Sequence, residues 1–213
     1  MKLQLALDMA DLDAALRVLR AVHRYIDIVE IGTPLALREG VRAIGAVKRH
    51  HGGLPVLADF KIIDGGGEEA RIAFDAGADF VTVLALAHDE TVRAVVDAAR
   101  RAGRQVVADL LGVADIGRRA GELLGMGVDY LCVHTASDLG HTGGNPLDGL
   151  RALRDAVPPS RLAVAGGVSP ALLPEIVREN PAIVVAGRSI AAAPDPAAAA
   201  REMRAMIGSG MRT

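Results

Sequence analysis

A single-domain α/β fold, a (β/α)8 barrel spanning residues 1–213, is predicted by three features of this chain. Eight short apolar runs alternate with amphipathic segments from end to end. The runs are nearly continuous in Val, Ile and Leu, as strands covered on both faces must be. Strands that alternate with helices are parallel, because parallel neighbours need a crossover connection. The length is a little below the ~250 residues typical of such barrels. An open doubly wound sheet is the runner-up architecture.

The elements follow in order. Strand Leu3–Leu7 leads into a helix over Leu12–Arg24, and strand Asp27–Ile31 into a helix over Leu37–His50. Strand Leu54–Asp59 precedes a helix over Glu68–Ala76. Asp64 is the candidate N-cap of that helix, with Glu68 and Glu69 as its acidic first turn. Strand Phe80–Leu84 is followed by helix Glu90–Arg101, and strand Gln105–Asp109 by helix Ile116–Met126. Gly77-Ala78-Asp79 and Gly127-Val128-Asp129 occupy equivalent places, where glycine closes a helix before the next strand. Strand Tyr130–Val133 precedes helix Leu147–Ala156. Strand Leu162–Ala165 precedes helix Ala171–Arg178, and strand Ile183–Ala186 precedes a last helix over Pro196–Ile207.

Composition narrows the chemistry. With no Trp, two Tyr and three Phe, the chain lacks aromatic platforms for stacking bases, and a net charge of −2 offers no basic face for a polyanion. No nucleic-acid partner is expected. Cys132 is the only cysteine, so no intrachain disulfide is possible, and its apolar surroundings suit a buried inert thiol. No run approaches the ~20 apolar residues that span a bilayer, and Met1-Lys2-Leu3 enters a strand without a leader-like segment. A cytoplasmic protein without membrane contact is expected.

A barrel gathers its chemistry at the C-terminal ends of its strands. Those ends carry Asp8, Glu30, Asp59 with Lys61, Asp109, His134, Gly166-Gly167 and Gly187-Arg188-Ser189. The densest cluster is Asp59-Phe60-Lys61-Ile62-Ile63-Asp64, where strand alternation turns Asp59 and Lys61 to one face. Charges at the end of a buried strand are costly unless paired or bound to something. Such a cluster is either a structural ion pair or a site. The glycine pairs after the last two strands let backbone N–H groups approach a phosphate, with Arg188 as a guanidinium fork; otherwise they are tight turns. Glu30 and Asp59 end adjacent strands and suit Mg²⁺ held by two carboxylates, or else Glu30 neutralises Lys61. Lys61, flanked by carboxylates, stays protonated and suits an oxyanion. His134 is a candidate acid–base group or a structural hydrogen-bonder. Asp8 and Asp109 either bind substrate hydroxyls or orient Lys61. His141 is a weaker candidate in the loop Asp138–Asn145, and His23, His50, His51 and His88 read as surface residues.

Taken together, Leu5-Ala6-Leu7-Asp8, Glu30-Ile31-Gly32-Thr33-Pro34-Leu35, Asp59–Asp64, Val133-His134-Thr135, Ala165-Gly166-Gly167 and Ala186-Gly187-Arg188-Ser189-Ile190 resemble the orotidine 5′-monophosphate decarboxylase superfamily. Over essentially the whole chain the likeness is to its 3-hexulose-6-phosphate synthase family. That resemblance implies a TIM barrel performing a Mg²⁺-dependent aldol addition of formaldehyde to ribulose 5-phosphate, and the reverse. It implies Glu30 and Asp59 as metal ligands, with the metal and Lys61 stabilising a 1,2-enediolate and His134 as the acid–base group. Gly166, Gly167, Gly187 and Arg188 match phosphate-binding loops. Asp64 matches a residue that reaches the neighbouring subunit's site, so a homodimer with shared sites is implied. The alternative is the related 3-keto-L-gulonate 6-phosphate decarboxylase family, which Ala186–Ile190 resembles. Against it, Ser137 stands where those decarboxylases carry arginine, while Val128–His134 and Gly144-Asn145-Pro146-Leu147 are similar to the synthases. Gly65-Gly66 departs from the usual synthase turn. A second alternative is a phosphosugar-binding barrel without activity.

Overall fold

The strands pair in sequence order, β1 to β8, and β8 pairs back with β1, so the parallel sheet closes on itself. This is a computed structural model, and it describes residues 1–138 and 145–209. The strands are β1 (Lys2–Leu7), β2 (Ile28–Ile31), β3 (Val56–Ile62), β4 (Phe80–Leu84), β5 (Gln105–Asp109), β6 (Tyr130–His134), β7 (Leu162–Ala165) and β8 (Ile183–Ala186). The helices are α1 (Leu12–Val22), α2 (Thr33–Glu39), α3 (Arg42–His50), α4 (Gly66–Asp75), α5 (Asp89–Ala102), α6 (Ile116–Met126), α7 (Pro146–Leu153), α8 (Leu173–Glu179), α9 (Arg188–Ala191) and α10 (Pro196–Ser209). None of these helices is long and apolar enough to cross a membrane. The closed barrel, rather than the open sheet, is the architecture.

Local chemistry explains the boundaries. Asp11 caps α1 by accepting from the Ala14 N–H, Asp115 caps α6 by accepting from Arg118, and Asn145 caps α7 by accepting from Leu147. Gly103 and Gly127 end α5 and α6 in the left-handed conformation. Two expectations fail. The helix over Leu37–His50 is two helices, because Gly40 adopts φ 61° and breaks the chain between α2 and α3. Asp64 does not cap α4. Gly65, left-handed at φ 62°, holds the N-cap position, and the Asp64 carboxylate accepts only the Gly65 N–H. β3 also runs past Asp59 to Ile62, with a register shift against β4 between Ala58 and Ile62.

Two cores result. Leu, Ile, Val and Ala from strands and helices fill the layer between them. Inside the barrel lies a smaller cluster of Ala6, Ile28, Leu57, Phe80, Val107, Cys132, Ala163, Ala165, Ile183 and Val185. Among the described residues the buried polar side chains are Gln4, Glu30, Asp59, Thr82 and Asp109, one on each of the first five strands.

The opposite end of the barrel repeats one device three times. Asp27, Asp79 and Asp129 immediately precede β2, β4 and β6. Each donates its N–H to a residue of the preceding strand (Leu3, Val56, Val106). Each carboxylate then accepts the N–H of that same residue, at 2.8–2.9 Å. Two of the carboxylates are neutralised in turn: Asp79 by Lys48 at 2.5 Å and by Arg104, and Asp27 by Arg204 at 2.5 Å. These clamps tie odd strands to even ones where no catalytic group is needed. Asp79→Ala is therefore expected to lower unfolding stability by about 2–4 kcal/mol, since it strands one buried N–H and two cations. Urea titration measures this. A loss within the error of the wild-type value would show that the clamp is dispensable.

Candidate active site

The strand-end break at Lys61 organises the rim. Lys61 has φ 46°, unusual for a residue with a side chain, so its N–H leaves the sheet ladder and donates to Thr82 Oγ1 at 2.9 Å. The same twist brings its ammonium onto Asp59 Oδ2 and within 2.9 Å of Thr33 Oγ1. Both oxygens of Asp59 are held, with an acceptor direction left on Oδ1: Thr82 Oγ1 donates to Oδ1 and Thr33 Oγ1 to Oδ2, each at 2.8 Å. Burial works against the Lys61 ammonium. The charge and hydrogen bond of Asp59, with Asp109 and Glu30 adding, outweigh it, and Lys61 is held above its ordinary value.

Asp109 and His134 make a second pair across the interior. The His134 Nδ1 lies 2.8 Å from Asp109 Oδ2, while Asp109 Oδ1 accepts the Leu111 N–H at 2.9 Å. The carboxylate accepts, so Nδ1 carries the proton and Nε2 is left as the exchangeable nitrogen. Asp109 thus orients His134, and it acts on Lys61 only through its charge. Cys132 is buried beneath, its thiol pushed well above its usual range by burial and by the nearby carboxylates, as an inert thiol would be.

Among the described residues, Glu30 takes its one hydrogen bond from Gln4 Nε2 at 2.5 Å rather than from Lys61. Burial, then the charges of Asp59 and Asp8, raise the Glu30 carboxyl well above its ordinary value. Asp8, at the end of β1, is also raised, by burial of its carboxyl among rim groups and by Asp59, against the pull of Lys61, His134 and Arg188. Asp8, Glu30, Asp59 and Asp109 surround the single ammonium of Lys61, and the rim is short of positive charge. Hard carboxylate oxygens in excess of nearby cations fit Mg²⁺, and Glu30 and Asp59, on adjacent strands, are the pair that could hold it. Among the described residues no group of three or more His, Cys, Asp and Glu is gathered for a metal. Two carboxylates with water and substrate oxygens is the usual Mg²⁺ arrangement. A cavity of about 30 Å³ lies under these groups, lined by Gln4, Glu30, Asp59, Thr82, Asp109, Cys132 and His134 with apolar residues below.

The glycine loops follow the adjacent strands β7 and β8. Gly166 and Gly167 are both left-handed, at φ 83° and 72°. A Cβ on Gly166 would fall 2.0 Å from the Thr135 carbonyl, whereas Gly167 faces open space where an anion can approach its backbone. A Cβ on Gly187 would lie 3.1 Å from Asp8 Oδ2, so this glycine also makes room for Asp8. Arg188 is exposed in the first turn of α9. Asp64 is exposed beyond the rim, apart from Asp59 and Lys61. His141 and Gly144 lie outside the described residues.

Three site residues have no role in the sequence reading: Gln4, Thr33 and Thr82. A larger hollow of about 660 Å³ between the loops after β4 and β5 contains none of the predicted groups. Its Arg119 is already held by Asp89, Glu122 and the Ala85 and Ala87 carbonyls.

The raised Glu30 carboxyl has a signed consequence. The folded state binds its proton more tightly than the unfolded chain, so the stability linked to this group is full below about pH 4.5 and is lost as pH rises toward the folded value. In chelator-treated protein, Glu30→Gln should match wild type in acid and exceed its Tm increasingly toward neutral pH. A Tm difference that is constant with pH would contradict this burial of charge.

Comparison with known proteins agrees with this fold. Residues 1–203 match the orotidine 5′-phosphate decarboxylase / HUMPS family. The chain is 40% identical to the 3-hexulose-6-phosphate synthase of Bacillus subtilis over 210 residues, covering 99% of this chain and 100% of that one. The crystal structure of 3-hexulose-6-phosphate synthase from Salmonella typhimurium superposes with a TM-score of 0.96 at 41% identity, covering 99% of this chain and 100% of that one. A crystal structure of KGPDC from Streptococcus mutans superposes with a TM-score of 0.90 at 25% identity, covering 99% of this chain and 98% of that one. With its fold and nearly its full length matched, the chain belongs to the orotidine 5′-phosphate decarboxylase / HUMPS family.

Proposed function

We propose that this chain is a lyase that adds formaldehyde to D-ribulose 5-phosphate, giving D-arabino-3-hexulose 6-phosphate, and catalyses the reverse cleavage. The observation that carries this reading is the paired arrangement on one rim, Asp59 with Lys61 and Asp109 with His134. An aldol addition needs a cation where a carbonyl oxygen becomes negative and a base that takes the adjacent carbon-bound proton. The identity of about 40% to a named synthase, against 25% to a KGPDC, supports the choice of reaction.

The roles follow from the contacts. The sugar phosphate binds at Gly166, Gly167, Gly187 and Arg188, which fixes the ketone near Lys61. His134, oriented by Asp109, takes the proton next to the carbonyl at Nε2. Lys61, kept protonated, donates to the oxygen that gains charge, so a 1,2-enediolate forms without release to water. The enediolate carbon then bonds to the formaldehyde carbon, the formaldehyde C=O π bond opens onto its oxygen, the ketone re-forms, and that oxygen takes the proton back from His134. Glu30 and Asp59 would hold Mg²⁺, which when bound supplies Lewis-acid polarisation of the substrate oxygens. Asp8 is placed to accept from a substrate hydroxyl. The single buried thiol, Cys132, suits a cytoplasmic setting.

A homodimer with shared sites belongs to the same proposal. Asp64 sits exposed beside Ile63, which is 51% exposed, and Leu37, in the short helix α2 that starts at Thr33, is 84% exposed. Apolar side chains this open beside a charged site suit a partner subunit.

One specific feature favours a second reading. Arg188 after Gly187 resembles the 3-keto-L-gulonate 6-phosphate decarboxylases, which reach the same kind of intermediate by losing CO2. The exposed Ser137, in place of their arginine, favours the synthase. With Mg²⁺, the protein should consume formaldehyde in the presence of ribulose 5-phosphate and release no CO2 from 3-keto-L-gulonate 6-phosphate. CO2 release alone would reject the synthase, and no turnover of either would leave a binding protein. Lys61→Ala should lower kcat by about 10²–10³-fold, the scale of one lost oxyanion donor, in a folded protein. Mixing Lys61→Ala with Asp64→Asn should recover part of the activity through hybrid dimers. No recovery after verified subunit exchange would place Asp64 outside the site.

A further inference from the structure

Gln4 is the polar side chain that packing least explains. It lies inside the barrel on β1, 3% exposed, and shares the cavity wall with Leu57, Ile183 and Val185. A carboxamide there is costly, because each buried polar group without a partner costs about 1–3 kcal/mol. Only half of this amide is satisfied. Its Nε2 donates to Glu30 Oε2, while its buried Oε1 has no hydrogen-bond partner. An apolar side chain of similar size would fill the position without that cost. Filling the barrel therefore does not require a glutamine here, and holding Glu30 does.

The register shows how it reaches. Gln4 pairs with Ile28 and Ala6 with Glu30, so Gln4 sits one inward-facing step below Glu30 on the neighbouring strand. Glu30 has the longer, more flexible of the two candidate metal-binding side chains. Asp59 is fixed by Thr33, Thr82 and Lys61, whereas among the described residues Gln4 is the sole hydrogen-bond donor to the Glu30 carboxylate. A carboxylate only accepts, so the amide presents its NH2 to it and pins Oε2 on the side away from the rim.

We propose that Gln4 is the positioning residue for Glu30, fixing the carboxylate that would bind a divalent cation. The proposal rests on the metal reading given under Proposed function. Residues that orient a ligand in this way typically contribute 10–100-fold, on the order of one to two decades, to metal affinity or activity.

The test uses Mn²⁺ as the probe, with its binding read by electron paramagnetic resonance, and compares wild type, Glu30→Gln, Gln4→Met and Gln4→Leu. Both Gln4 variants should bind Mn²⁺ about 10–100-fold more weakly, with a Tm equal to or above wild type. Wild-type affinity in either folded Gln4 variant overturns the proposal, as does a Tm loss without a change in affinity. If wild type binds no Mn²⁺, or Glu30→Gln binds it as tightly as wild type, the metal reading itself fails. A second measurement needs no core variant. The chain has two glutamines, Gln4 and Gln105, so protein labelled with ¹⁵N at glutamine side chains gives two amide pairs, assigned with Gln105→Lys. The Gln4 pair should exchange slowly with solvent and shift on Mg²⁺ addition while the Gln105 pair stays still. A Gln4 pair unmoved by saturating Mg²⁺ overturns the proposal.

Discussion

The contact between Asp59 and Lys61 is the interaction on which the rim depends. Asp59 is buried on the third strand, and a buried carboxylate is tolerated only when paired and hydrogen-bonded. It is satisfied by one ammonium and two hydroxyls from three different elements: β3 itself, the start of α2, and β4. To bring that ammonium home the backbone twists at Lys61 and breaks the ladder with β4. The lost backbone hydrogen bond is replaced by Thr82 Oγ1, which both accepts the Lys61 N–H and donates to Asp59. Strain, pairing and polar satisfaction thus meet in one local structure. Backbone strain of this kind persists only where its surroundings fix it, and it gathers at functional sites.

The barrel separates this tension from its stability. At the far end, Asp27, Asp79 and Asp129 pair with backbone N–H groups, and Lys48, Arg104 and Arg204 compensate the first two. At the catalytic end, Glu30 and Asp8 are held above their ordinary values because compensation is incomplete. Both ends use aspartates next to strands. The difference lies in the balance: backbone donors and cations at one end, and at the other four carboxylates around one ammonium, so that Asp8 and Glu30 are raised by burial and by their neighbours. A protein that has closed its barrel by the first set can tolerate the cost of the second.

Much of this was legible in the chain. Phe80–Leu84, Gln105–Asp109, Leu162–Ala165 and Ile183–Ala186 have their expected bounds, because buried parallel strands leave unbroken apolar runs. Asp59, Lys61 and His134 stood out because charge at the end of such a run is conspicuous. The failures have local causes. Gly40 lies inside a segment whose apolar spacing continues on both sides, so periodicity could not reveal the break between α2 and α3. Asp64 has the right residue type for a cap, but Gly65 takes the left-handed conformation and moves the helix start past it. Gln4, Thr33 and Thr82 went unseen for a different reason. A threonine in Phe80–Leu84 is an ordinary strand residue, and nothing short of a three-dimensional neighbour shows that its hydroxyl meets Asp59.

The same electrostatics argue for how the reaction type is set within this family. Lys61, Asp59, Asp109 and His134 together provide one stabilised negative oxygen and one proton carrier, and those are needed whether the intermediate arises by proton removal or by loss of CO2. Under the proposed function, the buried machinery would therefore fix the class of intermediate. On that reading, what enters and leaves the adjacent carbon would be set by groups at the solvent side of the rim, and Ser137 is such an exposed position. Substitution there costs little stability, whereas substitution at Asp59 would unsettle three elements at once. On the proposed reading, rim positions can change while the interior is kept, which is consistent with relatives of two different names sharing this fold at 41% and 25% identity.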